Sequence, residues 1–368
     1  MKKIFVLVLL AAVFYLSGFS KLSSFENYLN DQMRKQDIPA LSVLIFKNSD
    51  ILYQKYLGKA DVEKNTSLSA EHVFLIASVS KTITATALMQ LYDKGLFKLD
   101  DPINDYLDFD VKNPDSNEEI TFKMLLTHTS SIADGAAMDG QYYYGKDSPV
   151  KLSYFMKEYF THGGKYYDRY ENFYDFRPGR EYEYSNIGSA LIGVLVEKLS
   201  GMDFNDYCKK NIFNPLKMTN SHWKLSEISL NKIVRPYDEN LRPLEHYTFT
   251  DYPNGGLRTN VTDLFKFLST YANDGINSGY NLLKTKTADM MLSPQIRQID
   301  STVGLHFFRM NKKHDLWGHD GGEEGVSTIM AFNRKNGIGA IILTNQGEAY
   351  LDNILIKAYE TGIELADK

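Results

Sequence analysis

One cysteine, Cys208, stands among 368 residues, so no intrachain disulfide can form and the fold must rest on core burial. Cys208 lies in DYCKKNIF beside no histidine, which reads as a core or half-buried thiol rather than a nucleophile. Basic blocks are also missing: 41 Lys and Arg are scattered among 46 Asp and Glu, which argues against nucleic acid as a partner. The eight histidines form no His-Glu-x-x-His run and no close pair at ligand spacing, so neither a metal nor another cofactor is expected. No internal repeat is visible.

Long hydrophobic runs are scarce too. Ile4 to Leu16 is almost unbroken but too short for a comfortable membrane span. With Met1-Lys2-Lys3 before it and Gly18-Phe19-Ser20 after it, this segment reads as a cleaved secretory signal over residues 1–20. The expectation is an exported protein, periplasmic or secreted, with no membrane span once the signal is removed. An uncleaved N-terminal anchor is the other reading, and no cysteine sits nearby to accept a lipid.

What is present is globular: 43% hydrophobic and 24% charged residues, with a length that suits one large domain or two lobes folded together. Phe25, Leu29 and Met33 in SFENYLNDQMRK recur at helical spacing. ALSVLIFKNSDILYQKYLGKA reads as a hairpin turning at Asn48-Ser49-Asp50. STIMAFNRKNGIGAIILTN reads as a second, with Asn336-Gly337 supplying the positive φ angles of a tight turn. Leu351 to Leu365 is an amphipathic helix by its pattern. The spacing therefore predicts an α+β fold: an antiparallel sheet built from both chain ends, flanked by terminal helices, with an inserted, mostly helical lobe. The domain would cover 21–368, with a sheet lobe of about 21–77 and 251–368 and a helical lobe of about 78–250. Segment 142–176 holds thirteen Tyr and Phe, read either as packing under a long loop or as a substrate-facing lid.

Three segments carry chemistry. In IASVSKTITATALMQLYDKG, Ser78 and Lys81 sit three apart on one helical face, whereas Ser80 diverges from Lys81. A serine hydroxyl needs a base, and a lysine serves if burial keeps it neutral. Ser-x-x-Lys also starts at Ser148, Ser221 and Ser229, but in polar, loop-like settings; only Ser78 opens a helix with Ile83, Ala87, Leu88 and Leu91 down one face. Second, Tyr184-Ser185-Asn186 follows a Pro178-Gly179 turn and precedes a strongly apolar helix. A tyrosine beside a lysine can have a lowered pKa and share its protons. Third, His319-Asp320-Gly321-Gly322 offers paired glycines at a strand edge, where a substrate backbone can approach closely.

In that order, Ser-x-x-Lys, Tyr-x-Asn and His-x-Gly resemble the serine β-lactamase and penicillin-binding-protein superfamily, with the class C β-lactamase-like hydrolases and esterases nearest in flavour. KGLFKLDDPINDYL, ITFKMLLTHTSSI, PGREYEYSNIG and NGGLRTNVTDLFKFL resemble it too, so the likeness runs from about residue 25 to 350. The resemblance implies a β-lactamase/transpeptidase-like fold and an acylated nucleophile at Ser78. It implies general-base and general-acid work shared by Lys81 and Tyr184, and an oxyanion site at the amides of Ser78 and Gly322. Asn186, His319 and Gly321 would bind a small-molecule or peptide substrate: an ester, a D-amino-acid peptide or a β-lactam. Two positions depart. His319, a weaker and pH-dependent cation, stands where β-lactamases and penicillin-binding proteins carry Lys, which favours esters or peptides over β-lactams. Ser131 stands where related sequences commonly have Gly. A catalytically idle binding or sensor protein with the same fold is the alternative.

Overall fold

The computed structural model describes residues 22–277 and 279–367. The signal expected over residues 1–20 lies outside them; among the described residues no helix is long and apolar enough to cross a membrane.

The two hairpins read from the sequence form the middle of a seven-stranded sheet. Its strands are β1 (Ala40–Lys47), β2 (Asp50–Asp61), β3 (Thr66–Ser67), β4 (Phe308–Asn311), β5 (Leu316–Glu323), β6 (Val326–Asn333) and β7 (Ile338–Thr344). Their spatial order is β4-β5-β6-β7-β1-β2-β3, with β1 antiparallel to both β7 and β2. The first turn holds Asn48 at φ 52°, as its sequence suggests. The second differs from its expectation. Only Gly337 takes a positive φ, of 68°. Asn336 instead accepts the Ile338 N–H through Oδ1, at 3.0 Å, and donates to Tyr359. Four residues close that loop, so a two-residue turn is not needed.

Alternation along β1 assigns its two faces. Leu41, Val43 and Ile45 join Phe25, Leu29, Ile354, Leu355 and Tyr359 in one core, under the helix at 22–35 (α1) and the C-terminal helix Asp352–Ala366. Ala40, Leu44 and Phe46 face the other core, shared with the inserted region. That region contributes α2 (Ser80–Asp93) and α3 (Asn186–Ser200); α4 (Val261–Ala272) follows it in the chain and packs on the same core, making the C-terminal helix α5. Helix α2 is buried on nearly every side, so its polar residues need internal partners. Thr82 and Thr86 donate to carbonyls of the helix's own preceding turn, and Thr84 donates to Pro253 O. The aromatic segment divides: Phe155, Tyr159, Phe160 and Phe173 pack in the core, whereas Tyr142 to Tyr144 pair with Tyr247 to Phe249 as a short ladder.

Candidate active site

Ser78 occupies a single 3₁₀ turn, Ala77–Val79, that leads into α2. In a 3₁₀ turn residues i and i+3 eclipse, which brings Lys81 over Ser78 more directly than an α-turn would. Ala77 takes φ 46°, left-handed for a residue with a side chain, a conformation that costs about 1–3 kcal/mol and is held by its surroundings. Part of that hold is Thr328 of β6, whose hydroxyl donates to Ile76 O at 2.8 Å. Gly321 of β5 supplies another part. A Cβ there would lie 2.6 Å from Ile76 O and 2.9 Å from Ser78 N, so only glycine lets the strand rest on this turn.

Lys81 Nζ is 3.0 Å from Ser78 Oγ, 2.7 Å from Asn186 Oδ1 and 2.8 Å from Asn254 O. The lysine is fully buried, and burial lowers its pKa to about 7 against the pull of Asp134, Asp251, Glu323 and Asp320. A neutral amine has two N–H donors and one lone pair. The two carbonyl oxygens take the donors, which leaves the lone pair for the Ser78 hydroxyl. Ser80 stands apart from this group: its Oγ accepts the Leu257 N–H at 3.2 Å. Ser148 and Ser221 bond to threonines, Thr250 and Thr259, and neither meets a lysine.

Tyr184 lies beneath the Lys81 amine, 4.9 Å from it to the ring centroid. Its hydroxyl is buried without a well-formed hydrogen bond. The lowered pKa expected from a neighbouring lysine is not found. Burial raises it far above the usual phenol range, and the nearby Ser78 hydroxyl offsets this only in part, while Asp320, Tyr182 and Asp134 push it further up. Behind Tyr184 the His128 ring stacks at 4.3 Å, and His306 packs on His128 at 4.6 Å. His128 Nδ1 accepts the Ser185 N–H at 3.1 Å, and both imidazoles are buried and held well below their usual pKa. Although histidines gather here, among the described residues no group of three His, Cys, Asp or Glu is disposed to hold a metal.

His319 corrects a second expectation. It is 2% exposed, and burial together with Lys81 lowers its pKa to about 3, so it is a neutral ring rather than a pH-dependent cation near pH 7. Its Nδ1 lies 2.5 Å from Asp320 O and must donate there, which leaves a lone pair on Nε2. Gly322 is exposed, and a Cβ on it would meet nothing within 4 Å. Residues 319–323 pair with β6 but extend past the last β4 partner, Gly318, leaving one edge open beside Ser78. A cavity of about 350 Å³ opens there, lined by Ser78, Tyr182, Tyr184, Phe308, His319, Asp320, Gly321 and Gly322. A larger depression of about 800 Å³ between α1, β2 and Tyr237 shares none of those residues.

The structure thus gathers Ser78, Lys81, Tyr184, Asn186, His319, Gly321 and Gly322 around one opening. Cys208 is buried elsewhere, its thiol pKa raised by burial. Sequence reasoning missed Asp134, whose two oxygens take the backbone N–H groups of Asn186 and Ile187 and the Asn186 side-chain amide. It also missed Asn254, which serves through its backbone carbonyl. A carboxylate in a loop and a main-chain oxygen leave no spacing motif. Tyr252-Pro253-Asn254 does repeat the Tyr-x-Asn pattern, yet it contributes to the site through the backbone alone.

Comparison with known proteins shows the family and the fold. The chain is 23% identical over 343 residues to the protein Flp of Staphylococcus aureus, covering 90% of this chain but only 64% of that protein's length. A penicillin-binding protein of Bacillus halodurans superposes with a TM-score of 0.70 at 23% identity, covering 92% of this chain and 98% of that one. An octameric penicillin-binding protein homologue from Pyrococcus abyssi gives 0.72 at 23% identity, covering 94% and 77%. The family model described as Beta-lactamase matches residues 25–358, nearly all of the described chain, and the protein belongs to that family.

Proposed function

We propose that the protein is a serine hydrolase that cleaves an ester or amide through an acyl-enzyme on Ser78. The observation that carries this reading is the Lys81 amine, buried, near-neutral in pKa and 3.0 Å from the Ser78 hydroxyl. Ser78 Oγ attacks the carbonyl carbon while its proton passes to Lys81 Nζ. The oxyanion forms between the N–H groups of Ser78 and Gly322. The tetrahedral adduct then expels the leaving group, which takes a proton from Lys81 or from Tyr184. A water repeats the sequence in reverse, releasing the acid and restoring Ser78.

Burial supports a division of labour in which neutral Lys81 is the base and Tyr184, a phenol throughout, relays or donates a proton. A neutral His319 provides no cation for a substrate carboxylate, which favours simple esters or peptides over β-lactams. The exported location read from residues 1–20 belongs to the same proposal. The test is intact-mass measurement after exposure to a nitrophenyl ester, a penicillin and a D-alanyl-D-alanine peptide. An acyl mass on Ser78 with at least one probe is expected; no adduct with any of them, nor with a serine-directed phosphonate, overturns the reading and leaves a binding protein of the same fold.

A further inference from the structure

Charge distinguishes the two ends of the cleft beside Ser78. Gly321 lies against the Ser78 turn, so His319 and Glu323 fall to either side of it, about 13 Å apart at the rise of an extended strand. A leaving group departs toward its proton donor. Tyr184 stands at the His319 end, its ring 6.3 Å from the imidazole in edge contact. The acyl group therefore runs the other way, toward Glu323 and Tyr142.

Among the described residues no cation waits at either end. His319 is buried, and its Nε2 has no partner among the described residues, so this wall presents a lone pair and asks for a donor. Asp320 lines the same cavity. The buried Arg258 guanidinium is taken by the carbonyls of Gly256 and Tyr247. Among the acids around Lys81, Asp134 is used by the start of α3 and Asp251 by the Asn254 amide. Glu323 is different. Among the described residues its half-buried carboxylate receives only the Tyr142 hydroxyl, at 3.2 and 3.3 Å to its two oxygens, and the neighbouring Glu324 N–H. No basic side chain among the described residues forms an ion pair with it, and burial raises its pKa, with the charge of Lys81 offsetting this only in small part.

We propose, on the basis of the Ser78 reading above, that this cleft selects acyl donors carrying a cationic amine on the acyl group, bound by Glu323 with Tyr142, and rejects donors carrying a carboxylate. The ammonium completes an ion pair that the protein leaves half-made, in a partly desolvated place where a charge-assisted hydrogen bond is strong. A carboxylate meets Asp320 or Glu323 and no cation.

Three aryl phosphonates that differ only in the acyl-side substituent provide the test: a free aminoalkyl group, its N-acetyl form and its N-succinyl form. Ser78 Oγ displaces the aryl oxide from phosphorus, and the rate of mass gain is read with Ser78→Ala as the blank. The amine is expected to label faster than the acetyl form by on the order of tenfold, and the succinyl form slowest. Rising salt should shrink this spread, and Glu323→Gln should bring the amine-to-acetyl ratio toward one. Glutamine still accepts from Tyr142, so thermal unfolding separates a lost charge from a lost fold; were the variant not to fold, the parent ratios and their salt dependence decide. If the acetyl probe labels Ser78 but the succinyl probe is as fast as the amine, or Glu323→Gln leaves the ratio intact, this selectivity is wrong and the hydrolase reading stands. If no probe labels Ser78, the hydrolase reading fails and the selectivity with it.

Discussion

Asp134 holds Asn186 by two bonds to one oxygen: Oδ2 accepts the Asn186 backbone N–H at 3.0 Å and its side-chain Nδ2 at 2.8 Å. With its NH₂ committed to that carboxylate, the Asn186 amide can turn only its oxygen toward Lys81, 2.7 Å away. A loop carboxylate thereby orients the amine that faces Ser78, and it does so from the helix start it also caps.

Asp134→Ala should lower kcat/KM by about a hundredfold, because Asn186 loses the restraint that aims it. Asp134 is also the largest single charge favouring the protonated form of Lys81. Its removal should move the acid limb of the pH–rate profile to lower pH. A fall in activity with an unmoved limb would mean that Asp134 acts only as a helix cap.

Activity should rise with pH through about 7 and then level off, since the Lys81 lone pair is free only above its folded pKa. Burial lowers that pKa, so the limb lies well below the range of an ordinary lysine. The profile of kcat/KM for an uncharged ester would check this. A rate unchanged from pH 5 to 10 contradicts a lysine base.

Ser78→Ala should abolish both turnover and covalent labelling, whereas Ser80→Ala should keep both. The latter leaves the Leu257 N–H without its acceptor, at a cost of about 1–3 kcal/mol in stability. Mass spectrometry of the labelled protein and thermal unfolding separate the two outcomes. Labelling that survives in Ser78→Ala overturns the assignment.

Ser131→Gly should raise the unfolding midpoint and leave activity unchanged. Ser131 sits at φ 58°, which costs a side chain about 1–2 kcal/mol and glycine almost nothing. The hydroxyl accepts from Asn113 Nδ2, but that amide also reaches Tyr174 O and Phe176 O and so keeps its partners. A lower midpoint in calorimetry would show that the Asn113 contact outweighs the backbone relief.

Much of this was legible in the chain because it depends on local spacing. β-rich apolar runs joined by turn residues marked the two hairpins at the centre of the sheet, and a three-residue step chose Ser78 rather than Ser80 as the partner of Lys81. The ordered Tyr184 and His319 segments marked what would gather around them, and the left-handed turn at Ser131 agrees with the glycine that related sequences place there. Protonation was not legible. A lysine near neutrality, a phenol pushed up and a histidine pushed far down all follow from burial and from charges brought in from distant positions. Asp134 and the Asn254 carbonyl come from segments about 50 and 170 residues away from Lys81 in the chain and are juxtaposed with it only by folding. Sequence spacing determined which side chains could meet. The tertiary structure decided which of them hold a proton, because desolvation is a property of the packed core and not of any short stretch.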